Sequence, residues 1–385
     1  MNPEAQKIIK GYRTVDARVA SGIGQSVQPT ISGTVADVPF IIAPTDRVLV
    51  TGASGFIGAQ VVQNLRARGF GNVVGFARPS SNTARLETAV KVPTGASVEI
   101  FKGNLLSPAD CQAACKDVTV IYHLAAGTGG KSFPDAYMNS VVATRNLLEA
   151  SVRFGQLRRF VLVSSFAVYA NNQRSRRLDE SCPIEEHPEL RGDAYCFAKV
   201  KQEELLNEYA TRFNIPSVVV RPGSVYGAGK EQITGRVGLG TFGIFLHMGG
   251  SNTIPFTHVE NCAEAIVLAG LVKGVDGEIF NLVDDDLPSS REFLRLYKRH
   301  VRSFKSVYVP HMVSYGLCYL WEKYSGWSKG QLPPVFNRRR WNADWKSTRY
   351  SNEKLKSRLG WTPKVATAEG LRQYFQGYGQ RERYA

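Results

Sequence analysis

Tyr195 and Lys199 stand four residues apart at the head of YCFAKVKQEELLNEYATRF, a stretch with the residue choice of a long helix. At that spacing two side chains share one helix face, about one turn apart. A phenol titrates near about 10, and an ammonium held beside it favours the phenolate and lowers that value. The pair is suited to passing a proton to or from an oxygen near neutral pH. The same Tyr-x-x-x-Lys spacing recurs at Tyr226, Tyr319 and Tyr350, so context has to separate them. Tyr226 lies in the Gly-rich turn VYGAGK, and the other two fall far downstream. Tyr195 alone opens a long helix, thirty residues after Ser165 in the serine pair that ends the strand FVLVS. Strand ends in open parallel sheets are where ligands bind, although a serine there also serves as a plain loop cap.

A second group of residues is suited to binding phosphates. Val48-Leu49-Val50-Thr51-Gly52-Ala53-Ser54-Gly55-Phe56-Ile57-Gly58 reads as a buried strand, a glycine-spaced turn and the start of an amphipathic helix. Gly52 allows a tight turn, Gly55 lets the backbone approach a pyrophosphate, and Gly58 permits close packing of helix on strand. The helix N-terminus adds N–H groups and the positive end of a dipole, with Ser54, Phe56 and Ile57 among the contacts. Three spaced glycines are a weak signal alone, but here they open the first βα unit, which points to a dinucleotide. At the end of the second strand the chain reads Gly75-Phe76-Ala77-Arg78-Pro79-Ser80, without the carboxylate that would hold a ribose 2′-OH. Arg78 with Ser80 and Ser81 suits a 2′-phosphate, which puts NADP ahead of NAD; stacking of Arg78 on adenine is the other role open to it.

The elements that position these groups follow from periodicity. Strand-like runs RVLVT, NVVGFA, SVEIFK, VTVIYHL, FVLVS and SVVVR alternate with helical segments, among them FIGAQVVQNLRAR and NSVVATRNLLEASVRF. Such alternation implies βαβ crossovers and a doubly wound, Rossmann-like α/β fold with a parallel sheet covered on both faces. Residues 1–44 lack sustained periodicity and read as a flexible extension. Residues 45–222 form the NAD(P)-binding domain, and 223–385 mainly a substrate-binding lobe, with some segments returning to the sheet.

Taken together, Thr51 to Gly58, Ser164-Ser165-Phe166-Ala167-Val168-Tyr169 and the Tyr195/Lys199 pair resemble the extended short-chain dehydrogenase/reductase family, of epimerase/dehydratase type. Gly103-Asn104-Leu105 is similar to the family's GDL near adenine, with Asn104 in place of Asp. His123-Leu124-Ala125-Ala126 is similar to its HLAA, which implies that Leu124, Ala125 and Ala126 line the cofactor. Arg221-Pro222-Gly223-Ser224-Val225-Tyr226-Gly227 is similar to its RPxxVYGPG turn, which implies Pro222 and Gly223 near the nicotinamide. The resemblance covers roughly residues 46–370 and implies a catalytic set of Ser165, Tyr195 and Lys199. Ser165 would hold the substrate oxygen, and Asn139, opening its helix, would support the lysine through water. It also implies a homodimer through the helices Ala136 to Phe154 and Tyr195 to Phe213, whose apolar faces would equally suit the core.

Nucleotide-sugar members usually carry Asn in the RPxNVYG turn and an Arg before the later Phe-containing segment, both gripping a diphosphate. Here Ser224 and Ile254 stand in those places, and a buried diphosphate without its bidentate cation is poorly compensated. The segment around Phe256 and the tail RYSNEKLKSRLGWTPKV are similar to the 3β-hydroxysteroid dehydrogenase and dihydroflavonol reductase branch. The expected function is therefore NAD(P)-dependent oxidation and reduction of an apolar secondary alcohol and ketone. A nucleotide-sugar epimerase or dehydratase with tightly bound NAD is the second reading, and a non-catalytic NAD(P)-binding sensor or scaffold the third.

With 385 residues, 43% of them hydrophobic, the chain is long enough for such a domain and lobe. Its six cysteines lack disulfide or zinc spacing, and neither His123 nor His258 has partners at ligand spacing, so no metal is expected. A net charge of +15, much of it late in the chain, comes without a stacking-aromatic nucleic-acid module. It reads as a solvated basic face or as attraction to anionic lipid or a phosphorylated ligand. HMVSYGLCYLWEKYSGW, between Pro310 and Ser328, is too short to span a bilayer and is read as a pocket wall or core, or as a segment resting on a membrane. Without a signal sequence or spanning segment the expected location is cytoplasmic, with peripheral membrane contact open.

Overall fold

Runs such as Val48-Leu49-Val50 and Phe160-Val161-Leu162 have no polar alternation, which suits strands covered on both faces. They occupy the middle of a seven-stranded parallel sheet. The strands are β1 (Arg47–Thr51), β2 (Asn72–Ala77), β3 (Ser97–Lys102), β4 (Val118–His123), β5 (Arg159–Val163), β6 (Ser217–Pro222) and β7 (Ile279–Leu282). Their spatial order is β7-β6-β5-β4-β1-β2-β3, all pairs parallel. The order reverses between β1 and β4, so the chain leaves these neighbours toward opposite sides and opens a crevice at their C-terminal ends. The structure is a computed structural model and describes residues 40–381 apart from 91–96, 128–131, 175, 231–232, 242, 329–330 and 333–335.

Helices cover both faces. On one side α1 (Phe56–Ala67) and α2 (Ala84–Val90) share a core with Val48, Val50, Val120, Val161 and Val218. On the other, α3 (Pro108–Cys115), α4 (Ala143–Phe154) and α5 (Ala194–Phe213) pack on Leu49, Ile121, Phe160 and Leu162. α6 (Val259–Leu271) joins the first layer although it comes from the C-terminal half. Its second half, Ala265–Leu271, is wholly apolar, and the helix is buried nearly end to end. Arg159 donates to the Ala269 and Val272 carbonyls at its C-terminus and pairs with Asp276, which places a cation at the negative end of the dipole.

The remaining helices are α7 (Ser290–His300), α8 (His311–Trp327), α9 (Arg338–Trp345), α10 (Glu353–Leu359) and α11 (Thr367–Arg381). α7 and α11 enclose a small aromatic core of Tyr226, Phe256, Phe293, Tyr297 and Tyr374. β7 and α6 are the later segments that return to the sheet. Of the extension read at 1–44, residues 1–39 lie outside the described ones. Phe40 bridges to Val272, the Ile41 N–H donates to the Leu271 carbonyl and Ile42 is buried. Residues 40–42 of that stretch are therefore packed, because this apolar run covers the end of α6.

Candidate active site

The strand ends at the order reversal open into a cleft of about 1200 Å³. Of the residues put forward from the sequence, Gly52, Ser54, Gly55, Phe56, Ile57, Gly58, Arg78, Ser81, Asn104, Leu105, Leu124, Ala125, Ala126, Asn139, Ser165, Tyr195, Lys199, Pro222 and Gly223 lie on its wall, whereas Ser80 does not. The glycine turn forms a close-fitting cradle. Gly52 has φ +68°, and a Cβ there would stand 3.0 Å from the Ala125 nitrogen. A Cβ on Gly58 would lie 2.2 Å from the Gly52 carbonyl oxygen, so the helix can approach the turn only without a side chain. No side chain caps the N-terminus of α1 and no acidic residue stands in its first turn, which leaves N–H groups and a positive dipole end for an anion.

A buried relay fixes the turn against its neighbours. Thr51 Oγ1 meets His123 Nδ1 at 2.7 Å, His123 Nε2 meets Thr144 Oγ1 at 2.8 Å, and Gln202 Nε2 donates to the same hydroxyl at 2.7 Å. β1, β4, α4 and α5 are thereby cross-linked. Burial, assisted by nearby Lys199, pushes the His123 imidazole down to about 3 and keeps it neutral. His123 is a packing residue, outside the cleft wall. Asn104 folds into its own turn, its Oδ1 accepting from the Leu106 N–H at 3.0 Å while its N–H donates to Asp110 at 2.7 Å.

Tyr195, Lys199, Ser165 and Ser164 line the same cleft. Asp193 caps α5 by accepting from the N–H groups of Tyr195 and Cys196 at 3.0 and 3.3 Å, so Tyr195 stands in the first turn. Lys199, one turn on, is buried and donates to the Val163 carbonyl at the end of β5 at 2.7 Å. Burial lowers its pKa to about 8, with Glu203 pulling the other way. The Tyr195 phenol is shifted upward, by burial first and by Asp193 and Cys196 next, while the Ser165 hydroxyl beside it offsets part of the rise. The expected lowering by Lys199 does not appear: burial, which disfavours the phenolate, sets the direction, and the group that opposes it is Ser165. Ser165 both lines the cleft and caps a short turn, accepting from the Ala167 N–H at 3.2 Å. Ser164 also lines the cleft, and its buried hydroxyl has no hydrogen-bond partner among the described residues.

Asn139 does not open a helix. Ser132 caps the run from Phe133, with Pro134 in the first turn, and Asn139 falls inside a π-helical turn, Tyr137–Val142, that precedes α4. Its amide donates to the Asp135 carbonyl at 2.8 Å. Several wall residues escaped the sequence reading. Arg85 and Lys230 flank the Phe56 ring, 5.7 and 5.9 Å from its centroid, and anchor on the Gly229 and Val225 carbonyls. Lys230 belongs to the Tyr226 repeat of the Tyr-x-x-x-Lys spacing, so its signal was present but attached to the wrong chemistry. Phe256, Phe293 and Tyr374 close the lobe side of the cleft, where Ser224 Oγ lies 3.3 Å from Thr234 Oγ1. Ile254 is buried away from the wall. None of the described wall residues of this cleft comes from α8; of the pocket-wall-or-core reading of residues 311–327, the core part is seen at Cys318, which is buried with Met248 and Trp345.

The cleft thus holds backbone N–H groups and cations that suit an anion, together with a phenol, an ammonium and two hydroxyls. A glycine cradle that a Cβ would fill and an unpartnered buried Ser164 hydroxyl fit a bound dinucleotide and its substrate. Compared with known proteins, residues 48–282 match the model of the NAD dependent epimerase/dehydratase family. A UDP-glucose 4-epimerase of Mycolicibacterium smegmatis is 29% identical over 341 residues, 84% of this chain and 96% of that protein. A 3 beta-hydroxysteroid dehydrogenase/Delta 5-->4-isomerase of Mycobacterium tuberculosis is 31% identical over 195 residues, 49% of each chain. The solved structure of a UDP-glucuronic acid 4-epimerase from Bacillus cereus, in complex with UDP-glucuronic acid and NAD, aligns with TM-score 0.66 and 22% identity over 87% of this chain and 99% of that one. That likeness is one of fold.

Proposed function

The chain belongs to the NAD-dependent epimerase/dehydratase family, and from that premise we propose that it interconverts a secondary alcohol and a ketone on an apolar, hydroxysteroid-like substrate, with NADP preferred. When bound, the nicotinamide accepts or supplies the hydride. Gly52, Gly55, Gly58 and the first N–H groups of α1 hold the pyrophosphate, assisted by Arg85 and Lys230. Arg78 and Ser81, at the end of β2 where no carboxylate stands, take the 2′-phosphate. Tyr195 gives its phenolic proton to the substrate oxygen in reduction and recovers it in oxidation. Ser165 orients that oxygen, and Lys199 sets the charge beneath the phenol.

The observation that carries the substrate class is the lobe-side wall. Ile233, Phe256, Phe293 and Tyr374 face the cleft beyond Gly223, and Ile254 is buried where a diphosphate-gripping arginine would stand. Apolar surface of this kind favours a substrate that brings little charge. A nucleotide-sugar epimerase is the second reading, favoured by the length of the similarity to the Mycolicibacterium enzyme. The test compares NADPH consumption on a panel of apolar cyclic ketones with interconversion of UDP-glucose in the absence of added cofactor. Turnover of the ketones by an enzyme purified free of nicotinamide supports the proposal. Retained nicotinamide with sugar interconversion overturns it in favour of the epimerase.

A further inference from the structure

α8 is amphipathic in the inverted sense. It turns Ser314, Cys318 and Ser325 inward and leaves its large apolar residues in solvent. Ser314 accepts from Trp341 Nε1 of α9 at 2.8 Å, Ser325 donates to the Leu332 carbonyl at 2.6 Å, and Cys318 packs with Met248 and Trp345. On the outer face Val313, Leu317, Leu320, Tyr324 and Trp327 follow one another at intervals of four, three, four and three. They are 51, 56, 62, 50 and 77% exposed, and Met312 at the head of the helix is 88% exposed. That period keeps all five on a single stripe along about 21 Å of helix. Val307 and Tyr308, on the strand that precedes α8 in the chain, are exposed as well. A solvent-facing apolar surface of this extent marks a contact.

The charge of the stretch that contains α8 bears on what the stripe contacts. Residues 291–346 carry twelve Lys and Arg against three acids, Glu292, Glu322 and Asp344, with Arg339 paired to Glu185 from outside the stretch. Glu322, the acid on α8, is held by Arg338 in a two-bond pair at 3.0 and 3.1 Å, and Asp344 lies 3.7 Å from Arg340. Arg291 stacks over Tyr308, and Lys323 over Tyr319. A second copy of this chain would bring the same positive field to the contact, whereas an anionic lipid surface complements it. Tyr and Trp at the end of the stripe suit the headgroup level, where an aromatic ring meets both hydrocarbon and water. Among the described residues no helix is long and apolar enough to cross a membrane, so such a contact is interfacial.

We infer that the outer face of α8 docks this protein on an anionic phospholipid surface. The surface is separate from the cleft and does not depend on the substrate proposed above. α9 stands between them: Trp345 Nε1 donates at 3.0 Å to the carbonyl of Gly235, which is on the cleft rim. Co-sedimentation of the full chain with vesicles tests the assignment, using phosphatidylcholine alone and phosphatidylcholine mixed with phosphatidylglycerol. The full chain is expected to sediment with the anionic vesicles only, and less as salt is raised. Leu317→Glu/Leu320→Glu should weaken that partitioning by about tenfold or more, since two half-exposed leucines lose their burial in lipid. Its melting temperature and cofactor binding should stay at the parent values. Met312→Ser/Trp327→Ser, at the two most exposed positions, gives the same answer should the first variant fold poorly. Failure of the parent to bind anionic vesicles, or equal binding by parent and variants, overturns the inference. A stable parent dimer that the glutamates split into monomers also overturns it, and assigns the face to a second copy.

Discussion

Tyr195 and Lys199 are both poised by burial, in opposite senses. Desolvation disfavours whichever form is charged, so the phenol is driven up from its ordinary value near about 10 and the ammonium down to about 8. At neutral pH the tyrosine therefore carries its proton and the lysine its charge, the pairing that carbonyl reduction requires. As pH rises through about 8 the lysine gives up its charge beside the reacting groups of the cleft. The kcat/KM for ketone reduction should accordingly be level around neutrality and fall above pH about 8, and Lys199→Met should remove that limb. Tyr195→Phe should lower turnover by roughly 100- to 10,000-fold, the range of general acid catalysis, with NADPH affinity nearly unchanged. Parallel pH–rate profiles and direct binding measurements on the three proteins check both. A parent profile without a limb near about 8, or a Tyr195→Phe enzyme that still turns over, removes these residues from the roles proposed. The spacing of Tyr195 and Lys199 was legible in the chain. Ser164 and Lys230 were not, because only the folded strand ends make them neighbours of the same cleft.

At the scale of elements, α5 places Tyr195, Lys199 and Glu203 four residues apart along one side. Glu203 then fastens that side to the sheet. Its carboxylate accepts from Arg221 Nε and Nη2 on β6 at 3.0 and 2.6 Å, with both side chains buried, and Arg221 also donates to the Tyr169 hydroxyl at 2.9 Å. Tyr169 in turn donates to Asn281 of β7 at 2.7 Å. Arg221→Met would strand the Glu203 carboxylate in the interior, and breaking one half of such a pair costs about 3–5 kcal/mol. Denaturant unfolding should show that loss. The double variant Glu203→Met/Arg221→Met should recover a large part of it, because an apolar pair leaves no charge behind. A single variant as stable as the parent would mean that the pair contributes little. Strand and helix order was readable because a parallel sheet with two covered faces demands unbroken apolar runs. The Glu203–Arg221 pair joins residues 18 apart in sequence, which no local period reports. The π turn at Tyr137–Val142 was hidden for a related reason: one inserted residue leaves a helical pattern nearly intact while rotating Asn139.

Across the whole molecule the lobe was the least legible part. Its core draws Phe256, Phe293 and Tyr374 from three separated segments, and no stretch of sequence carries the pattern of the assembled wall. The charge excess was legible in amount, +15, but not in placement. Lys199, Lys230, Arg78 and Arg85 all reach the cleft, and none of its described wall residues is Asp or Glu. A cofactor with one more phosphate gains most from that field, and any ligand bound only by the folded state raises stability by RT ln(1 + [L]/Kd). At a concentration a hundred times its dissociation constant a ligand adds about 2.7 kcal/mol, enough to move a melting midpoint measurably. NADPH should therefore raise the midpoint more than NADH at equal concentration. Arg78 is exposed, so water and salt screen its contribution, and Arg78→Ala should cut NADPH affinity by about tenfold rather than abolish it. The same substitution should leave NADH affinity near the parent value, and added salt should narrow the gap between the two cofactors in the parent. Equal midpoint shifts for NADPH and NADH in the parent would instead mean that Arg78 stacks on adenine and that NAD is the cofactor. A preference for NADPH that survives Arg78→Ala would move the 2′-phosphate contact to Arg85.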